Sequence, residues 1–234
     1  MKKFNLYCTF TLLITLNSCF HSSKEEEKIV PVEIDFSVLK FLSSDNLKGR
    51  SYMRPEINIA ANYIIEKFRL IGLKEVSGIS DYSQTFEIYN IQAKNIIGWV
   101  EGSDKKLKDQ FIVLSAHYDH LGVVPEHARE LGQKDSIFNG ARDNAVGVEA
   151  LIDAAKYFVK HPPKRSIMFI AFTGEEALFL GSRYFINNPV VPLEQLVFNL
   201  NIDNADYNDT SVVTILGSGR TTVDKNIKSA CIAQ

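Results

Sequence analysis

Four short acidic or imidazole-bearing fragments stand out along this chain: His117-Tyr118-Asp119, Arg142-Asp143-Asn144, Glu175-Glu176 and Asp203. Three follow apolar runs of strand length, Phe111 to Ala116, Ser166 to Phe172 and Leu196 to Ile202. In an open α/β sheet, groups placed just beyond the carboxyl ends of the strands converge on one crevice. One imidazole and several carboxylates gathered there suit zinc. No histidine lies beyond Asp203.

Each fragment alone has a simpler reading. A His-x-Asp is commonly a surface hydrogen bond. Here strand alternation puts i and i+2 on one side, so Asp119 is expected to reach the His117 imidazole and fix its tautomer. His120 reads as a loop residue beside the site and not as a ligand. Asn139 to Asn144 reads as a turn, with Gly140 at an unusual backbone position, that feeds a helix from Ala145. Asp143 then either caps that helix or bridges two metals with its two oxygens. Glu175 and Glu176 repel each other unless a cation relieves them. Adjacent side chains diverge, so one can ligate while the other holds a water; the plain alternative is a solvated first helical turn. Asp203 alone is a turn former, and Asn201, Asn204, Asp206 and Asp209 are nearby alternatives.

The elements that must position these groups alternate along the chain. Asp35 is the expected N-cap of a helix over Phe36 to Ser43. A second helix, Glu56 to Ile71, carries Ile57, Ala61, Ile64, Phe68 and Ile71 on one face and stops at Gly72. Phe86 to Ile91 and Asn95 to Val100 read as paired strands. A long loop spans Gly122 to Gly140. Helices follow over Ala145 to Tyr157, broken by His161-Pro162-Pro163, and over Glu176 to Ile186. Val212 to Leu216 reads as a further strand, and another helix starts near Thr222. This order predicts an α/β fold: a three-layer αβα arrangement with a mixed, mainly parallel sheet.

Size and charge bound the rest. The chain has 234 residues, 45% of them hydrophobic, and a formal net charge of -2. That is enough for one domain with a sizeable core, and it gives no electrostatic case for nucleic acid. Lys2 and Lys3, then the apolar Phe4 to Leu16, then Leu16-Asn17-Ser18-Cys19, resemble the leader and lipobox of a bacterial lipoprotein. Residues 1–19 are therefore expected to be a signal peptide ending in a lipidated Cys19, and residues 20–34 a solvated tether. Residues 35–234 are expected to be the folded domain, exported and membrane-anchored on the periplasmic or cell-surface side. Cys8 lies in the leader, so Cys231 has no intramolecular disulfide partner. Labelled palmitate should enter the wild-type chain and not Cys19→Ala; equal labelling of both would reject the lipobox.

Ser115-Ala116-His117-Tyr118-Asp119-His120-Leu121-Gly122, Asn139 to Gly147, Phe172-Thr173-Gly174-Glu175-Glu176 with Gly181-Ser182, and Asn201-Ile202-Asp203 resemble the M28 family of co-catalytic zinc aminopeptidases. The likeness extends from about Asp35 to Gly217. It implies a zinc-exopeptidase-like fold, a peptide or protein substrate with a free amino terminus, and two zinc ions. Residue by residue it implies that His117 and Asp203 hold one zinc, that Asp143 bridges, and that Glu176 holds the other. Glu175 would be the general base and Asp119 would orient His117. Arg142 replaces an Asp often found before the bridging carboxylate, at a position that is not a ligand.

The departure from the family is its last ligand, a histidine well downstream of the Asp203 position. The chain thus reads as a member with its C-terminal part missing. Its second zinc would keep only Asp143 and Glu176, and its turnover would be poor. His161 lies at the far end of a strand from Glu175, about 25 Å away at roughly 3.3 Å per residue. His127, in the long loop, is the only histidine placed to stand in. Two other readings compete: a single-zinc acyltransferase resembling glutaminyl cyclase, and a catalytically inactive lipoprotein.

Overall fold

The computed structural model describes residues 35–124, 135–204 and 221–232. Cys19, His127, Asp206, Asp209 and the expected strand at Val212 to Leu216 lie outside the described residues.

The two most apolar runs become the middle of the sheet. They are β4 (Phe111–His117) and β7 (Ser166–Phe172), paired in parallel with His117 opposite Phe172. Continuous apolar sequence is what a strand buried on both faces requires. On its other side β4 pairs in parallel with β8 (Leu196–Asn201), with Ser115 opposite Asn201. The three strands therefore end level, and the residues beyond them leave the sheet at one edge.

Beyond β7 the sheet turns antiparallel. Strand β3 (Ile91–Val100) pairs with β7, and its other side takes both β1 (Lys74–Glu75) and β2 (Ser83–Ile88). Strands β2 and β3 form a hairpin through Tyr89 and Asn90, both left-handed at φ 46° and 64°. The strand expected to reach Ile91 is cut by this turn; a two-residue hairpin loop needs positive φ at both positions. A short ribbon, β5 (Gly122–Val123) with β6 (Ile137–Phe138), lies within the expected long loop.

Alternating residues of the strands feed two cores, which gives the three layers. On one face Ile96, Leu114, Ala116, Phe169 and Ala171 pack against α1 (Ser37–Leu42), α2 (Glu56–Ile71) and α3 (Val146–Lys160). On the other, Ile97, Val113, Met168 and Ile170 pack against Phe185 of α4 (Leu180–Asn187). A last helix, α5, covers Asp224–Ile232. Among the described residues no helix is long and apolar enough to cross a membrane.

Two expected helix starts are corrected. Asp35 does not cap α1: the N-cap is left-handed Phe36, and Asp35 Oδ1 accepts a hydrogen bond from Ser37 N at 2.8 Å. Helix α4 starts at Leu180, not at Glu176. Before it, Leu180 N donates to Gly174 O at 2.9 Å, closing a loop in which Leu178 and Phe179 are left-handed. The run Ala177 to Leu180 has good helix formers, so propensity alone suggests a longer helix.

Helix α3 also carries a buried acid pair. Glu149 and Asp153 are 3% and 6% exposed, and among the described residues Glu149 Oε1 and Asp153 Oδ2 have no hydrogen-bond partner. Glu149 Oε2 accepts from Leu39 N at 2.9 Å. Burial raises the Glu149 carboxyl above its ordinary value; the Leu39 bond opposes this and the Asp153 charge adds to it. The folded chain thus holds this proton more tightly than the unfolded chain. The resulting stability is present at low pH and is lost as pH rises through the folded value. Glu149→Gln can keep the Leu39 bond and offer an amide to Asp153. It should raise the melting temperature at neutral pH by about 2–4 °C, equivalent to roughly 1 kcal/mol. Melts repeated near pH 4 should show the gap closing.

Candidate metal centre

The level strand ends bring the fragments together. His117 is the last residue of β4, 3% exposed, and its Nε2 is buried without a well-directed hydrogen bond. That nitrogen faces Asp143 Oδ1 at 3.1 Å and Asp203 Oδ1 at 3.4 Å. Asp203 follows β8, where Ile202 N still donates to Ser115 O at 2.8 Å and so holds the segment against β4. Asp143 sits in a turn, Ala141–Ala145, that leaves helical geometry at Asp143 and Asn144 and leads into α3. Asn144, fully buried, fixes that turn: its Nδ2 donates to Ile202 O at 2.8 Å and its Oδ1 accepts from Gly147 N at 3.1 Å. One side chain thereby joins the Asp143 turn, the start of α3 and the Asp203 segment.

Among the described residues, ligand-type atoms fall into two sets. His117, Glu175 and Asp203 offer atoms within 4.8 Å of one another, and so do His120, Asp143 and Glu176. The structure thus brings together His117, Asp143, Glu175, Glu176 and Asp203, all expected from the sequence. It adds His120, which the sequence placed beside the site. Strand alternation stops at His117, so it could not orient the residues beyond.

Asp119 stands differently from expectation. His117 Nδ1 lies 3.1 Å from the backbone oxygen of Asp119, while the nearer carboxylate oxygen is 3.8 Å away. The main-chain carbonyl is thus placed to accept from Nδ1, so that a ring deprotonated at Nε2 would present that nitrogen to a metal. The carboxylate of Asp119, wholly buried, instead accepts from Glu175 N at 3.2 Å and Glu176 N at 3.4 Å. It pins the Glu-Glu loop to the end of β4.

Arg50 holds the centre from below, and no pattern in the sequence pointed to it. It is fully buried. Nε donates to Tyr118 O at 2.8 Å, Nη2 to Gly140 O at 2.9 Å, and Nη1 to Asn139 O at 2.6 Å and also to Leu42 O. Burial lowers the guanidinium to about 10 against the pull of Asp119 and Asp143, so it stays charged at neutral pH. Gly140, at φ 60°, makes the approach possible: a Cβ there would lie 2.5 Å from Arg50 Nη2 and 2.7 Å from His120 Cδ2, and would also strike Asp143 O. Gly140→Ala should therefore displace Asp143. Zinc content should fall well below one equivalent by metal analysis, with the secondary structure retained by circular dichroism.

Electrostatics match a cation site. Burial disfavours charge on His117, yet Asp119 and Asp203 raise its imidazole to about 10. The nearby His117 imidazole leads the effects that hold the Asp203 carboxyl below its ordinary value. Burial raises the Glu175 carboxyl; His117 opposes this, while Glu176, Asp203 and Asp119 reinforce it. Donors bound tetrahedrally to zinc at about 2.0–2.2 Å lie roughly 3.4 Å apart. The 3.1 and 3.4 Å separations at His117 Nε2 are near that edge. An orphaned imidazole nitrogen facing two carboxylates thus fits zinc in both donor type and spacing.

Residues 95–234, more than half of the chain, match the profile of Peptidase family M28. The chain belongs to peptidase family M28. Among curated relatives, this M28 chain is 27% identical over 157 residues to a vacuolar membrane protease of Schizophyllum commune, covering 61% of itself and 16% of that protein. It is 28% identical over 135 residues to one of Saccharomyces cerevisiae, covering 58% of itself and 12% of that protein. The chain therefore spans less than a fifth of these relatives' length. Its fold is shared with a leucine aminopeptidase precursor from Bacteroides thetaiotaomicron, with TM-score 0.57 and 24% identity over 77% of this chain and 66% of that one. A Bacteroides thetaiotaomicron glutaminyl cyclase gives TM-score 0.59 and 24% identity over 77% and 64% of the two chains. A Zn-dependent exopeptidase from Parabacteroides distasonis gives 0.58 and 20% over 76% and 63%. The M28 assignment places the chain in its family, and its mixed sheet with helices on both faces is the fold of these neighbours.

Proposed function

We propose that the chain is a zinc-dependent peptidase that cleaves peptide bonds next to a free amino terminus. The observation that carries this reading is the placement of Glu175. Its carboxyl lies with His117 and Asp203, within 4.8 Å, on a loop pinned by Asp119, and its affinity for a proton is raised by burial. A general base must be held within reach of the water it deprotonates, and the pinned loop holds Glu175 there.

Zinc held by His117, Asp203 and Asp143 would supply Lewis acidity and lower the pKa of a bound water toward about 7. The rest of the work falls to the chain. Glu175 takes a proton from the attacking water and delivers it to the nitrogen of the departing amine. Asp119 fixes the Glu175 backbone and so its reach. The carboxylates gathered at the strand ends leave the site acidic and can meet a substrate ammonium group. A free amino terminus would satisfy that negative surface, and an acylated one would leave it unmatched.

Anchoring through Cys19, export, and the division into residues 1–19, 20–34 and 35–234 complete the proposal. They rest on the leader-like sequence, and the names of the vacuolar relatives associate those proteins with a membrane. Chelator-stripped protein should regain hydrolysis of aminoacyl-nitroanilides on adding zinc, and should refuse the N-acetylated substrates. Equal turnover of both would reject the requirement for a free amino terminus. Cyclisation of an N-terminal glutaminyl substrate without hydrolysis of aminoacyl-nitroanilides would favour the acyltransferase reading.

A further inference from the structure

We propose that the groove between β2 and α4 binds the residues of a peptide substrate that follow the cleaved bond, taking a large apolar side chain on its aromatic wall and a carboxylate at Arg183; the inference rests on the peptidase reading above. Cleavage next to the amino terminus leaves the rest of the substrate downstream. That downstream chain begins at the departing amine, to which Glu175 returns the proton. It must therefore leave the site past the Glu175 loop.

The groove opens beside that loop. A Cβ on Gly174 would lie 3.1 Å from Ile88 Cδ1 and 3.4 Å from Leu180 Cβ, and both of these residues line the groove. Leu178 and Phe179, between Glu176 and Leu180, are 74% and 57% exposed, and Tyr89 at the hairpin tip is 80% exposed. Leu178 and Phe179 are also left-handed, a costly conformation for bulky residues that collects at ligand sites. Large apolar side chains left in solvent along a reactive loop and the adjoining hairpin mark a binding surface.

The groove encloses about 340 Å³, within the usual range for ligand sites. Phe86 and Tyr184 stack with ring centroids 4.5 Å apart and form its aromatic wall. Arg183 and Asn187 line it about one and two turns along α4 from Leu180. Gln84 Nε2 donates to Asn188 O at 2.7 Å and ties β2 to the end of α4. The eight residues of α4 rise about 10 Å, which matches roughly three extended residues. Beyond the Ser80–Ser83 bridge, β2 pairs with β3 alone among the described residues, so its outer edge can take main-chain hydrogen bonds from an extended peptide.

Charge selects the occupant. Arg183 is exposed, and among the described residues its side chain has no ion pair or hydrogen bond. Glu87 also borders the groove, but it lies on the exposed face of β2, opposite Phe86 and Ile88. A short peptide presents an ammonium group to the carboxylates at the strand ends and a carboxylate at its other end to Arg183.

The test is calorimetric binding of tetrapeptides to the full, zinc-loaded chain carrying Glu175→Gln, which should hold them uncleaved. Ala-Ala-Phe-Ala should bind roughly tenfold more tightly than Ala-Ala-Gly-Ala. Amidating its C-terminus should weaken it by about 3–10-fold. Tyr89→Ala should shrink the preference for Phe, and Arg183→Ala should abolish the preference for the free carboxylate. Both side chains are exposed, so both variants should fold. Without Glu175→Gln, the same two variants should hydrolyse aminoacyl-nitroanilides as the wild type does, because those substrates carry no downstream residue. Affinities indifferent to Phe, to the carboxylate and to both variants would overturn the proposal, as would no peptide binding at all. A dimer by sedimentation that Tyr89→Ala or Arg183→Ala dissolves would assign the groove to a second copy and overturn it too. A wild type that leaves nitroanilides intact while the peptides bind with the stated preferences would instead overturn the peptidase reading.

Discussion

Glu175→Gln should abolish peptide hydrolysis and leave the zinc content at its wild-type level. The substitution keeps the size of the side chain and removes only its ability to take a proton. Loss of a positioned general base typically lowers turnover by about 10²–10⁴-fold. Glu176→Gln should fail differently. Its carboxylate belongs to the set with His120 and Asp143, so removing the charge should empty that set while His117 and Asp203 keep theirs. The two residues are adjacent, and Asp119 holds both their amides, so a general disturbance of the loop would affect the two variants alike. Metal analysis and turnover measured on both proteins separate the cases. Equal zinc loss would undo the assignment of base and ligand.

Arg50→Ala is expected to have the largest effect on stability. Its guanidinium donates to the carbonyls of Leu42, Tyr118, Asn139 and Gly140, all from inside the protein. Removing it leaves these acceptors without their donor and takes away a buried cation that Asp119 and Asp143 both feel. Breaking such a buried charged network costs about 3–5 kcal/mol, which corresponds to a fall in melting temperature on the order of 10 °C for a domain of this size. Arg50→Lys should rescue little, because one ammonium cannot span a fork of carbonyls held at fixed positions. Thermal unfolding of both variants checks this. A wild-type melting temperature for Arg50→Ala would show that the network contributes nothing.

The parts of this protein that are legible in its sequence share a physical cause. Strand β7 is legible to the residue and β4 to within one, because a strand covered on both faces must be apolar throughout. Helix α2 is legible to the residue, because its buried face repeats at helical spacing and Gly72 ends it in a left-handed conformation. His117, Asp143, Glu175, Glu176 and Asp203 are legible as a group because strand ends in such sheets converge. Arg50 is not, because its partners lie near it in space and as far as 90 residues away along the chain. His120 reads as a mere loop residue because β4 ends three residues earlier and no simple period governs the segment beyond it. The same break hides the role of Asp119, whose carboxylate turns to the amides of the Glu-Glu loop and leaves its carbonyl facing the imidazole.

The proposed zinc site of His117, Asp143 and Asp203 is the feature on which the rest depends. Crystals of the zinc-loaded chain, measured on either side of the zinc absorption edge, would locate it. An anomalous peak is expected at His117 Nε2, flanked by the Asp143 and Asp203 carboxylates. A zinc-saturated crystal with no peak at that nitrogen, or with its only peak elsewhere on the surface, would rule out the centre described here.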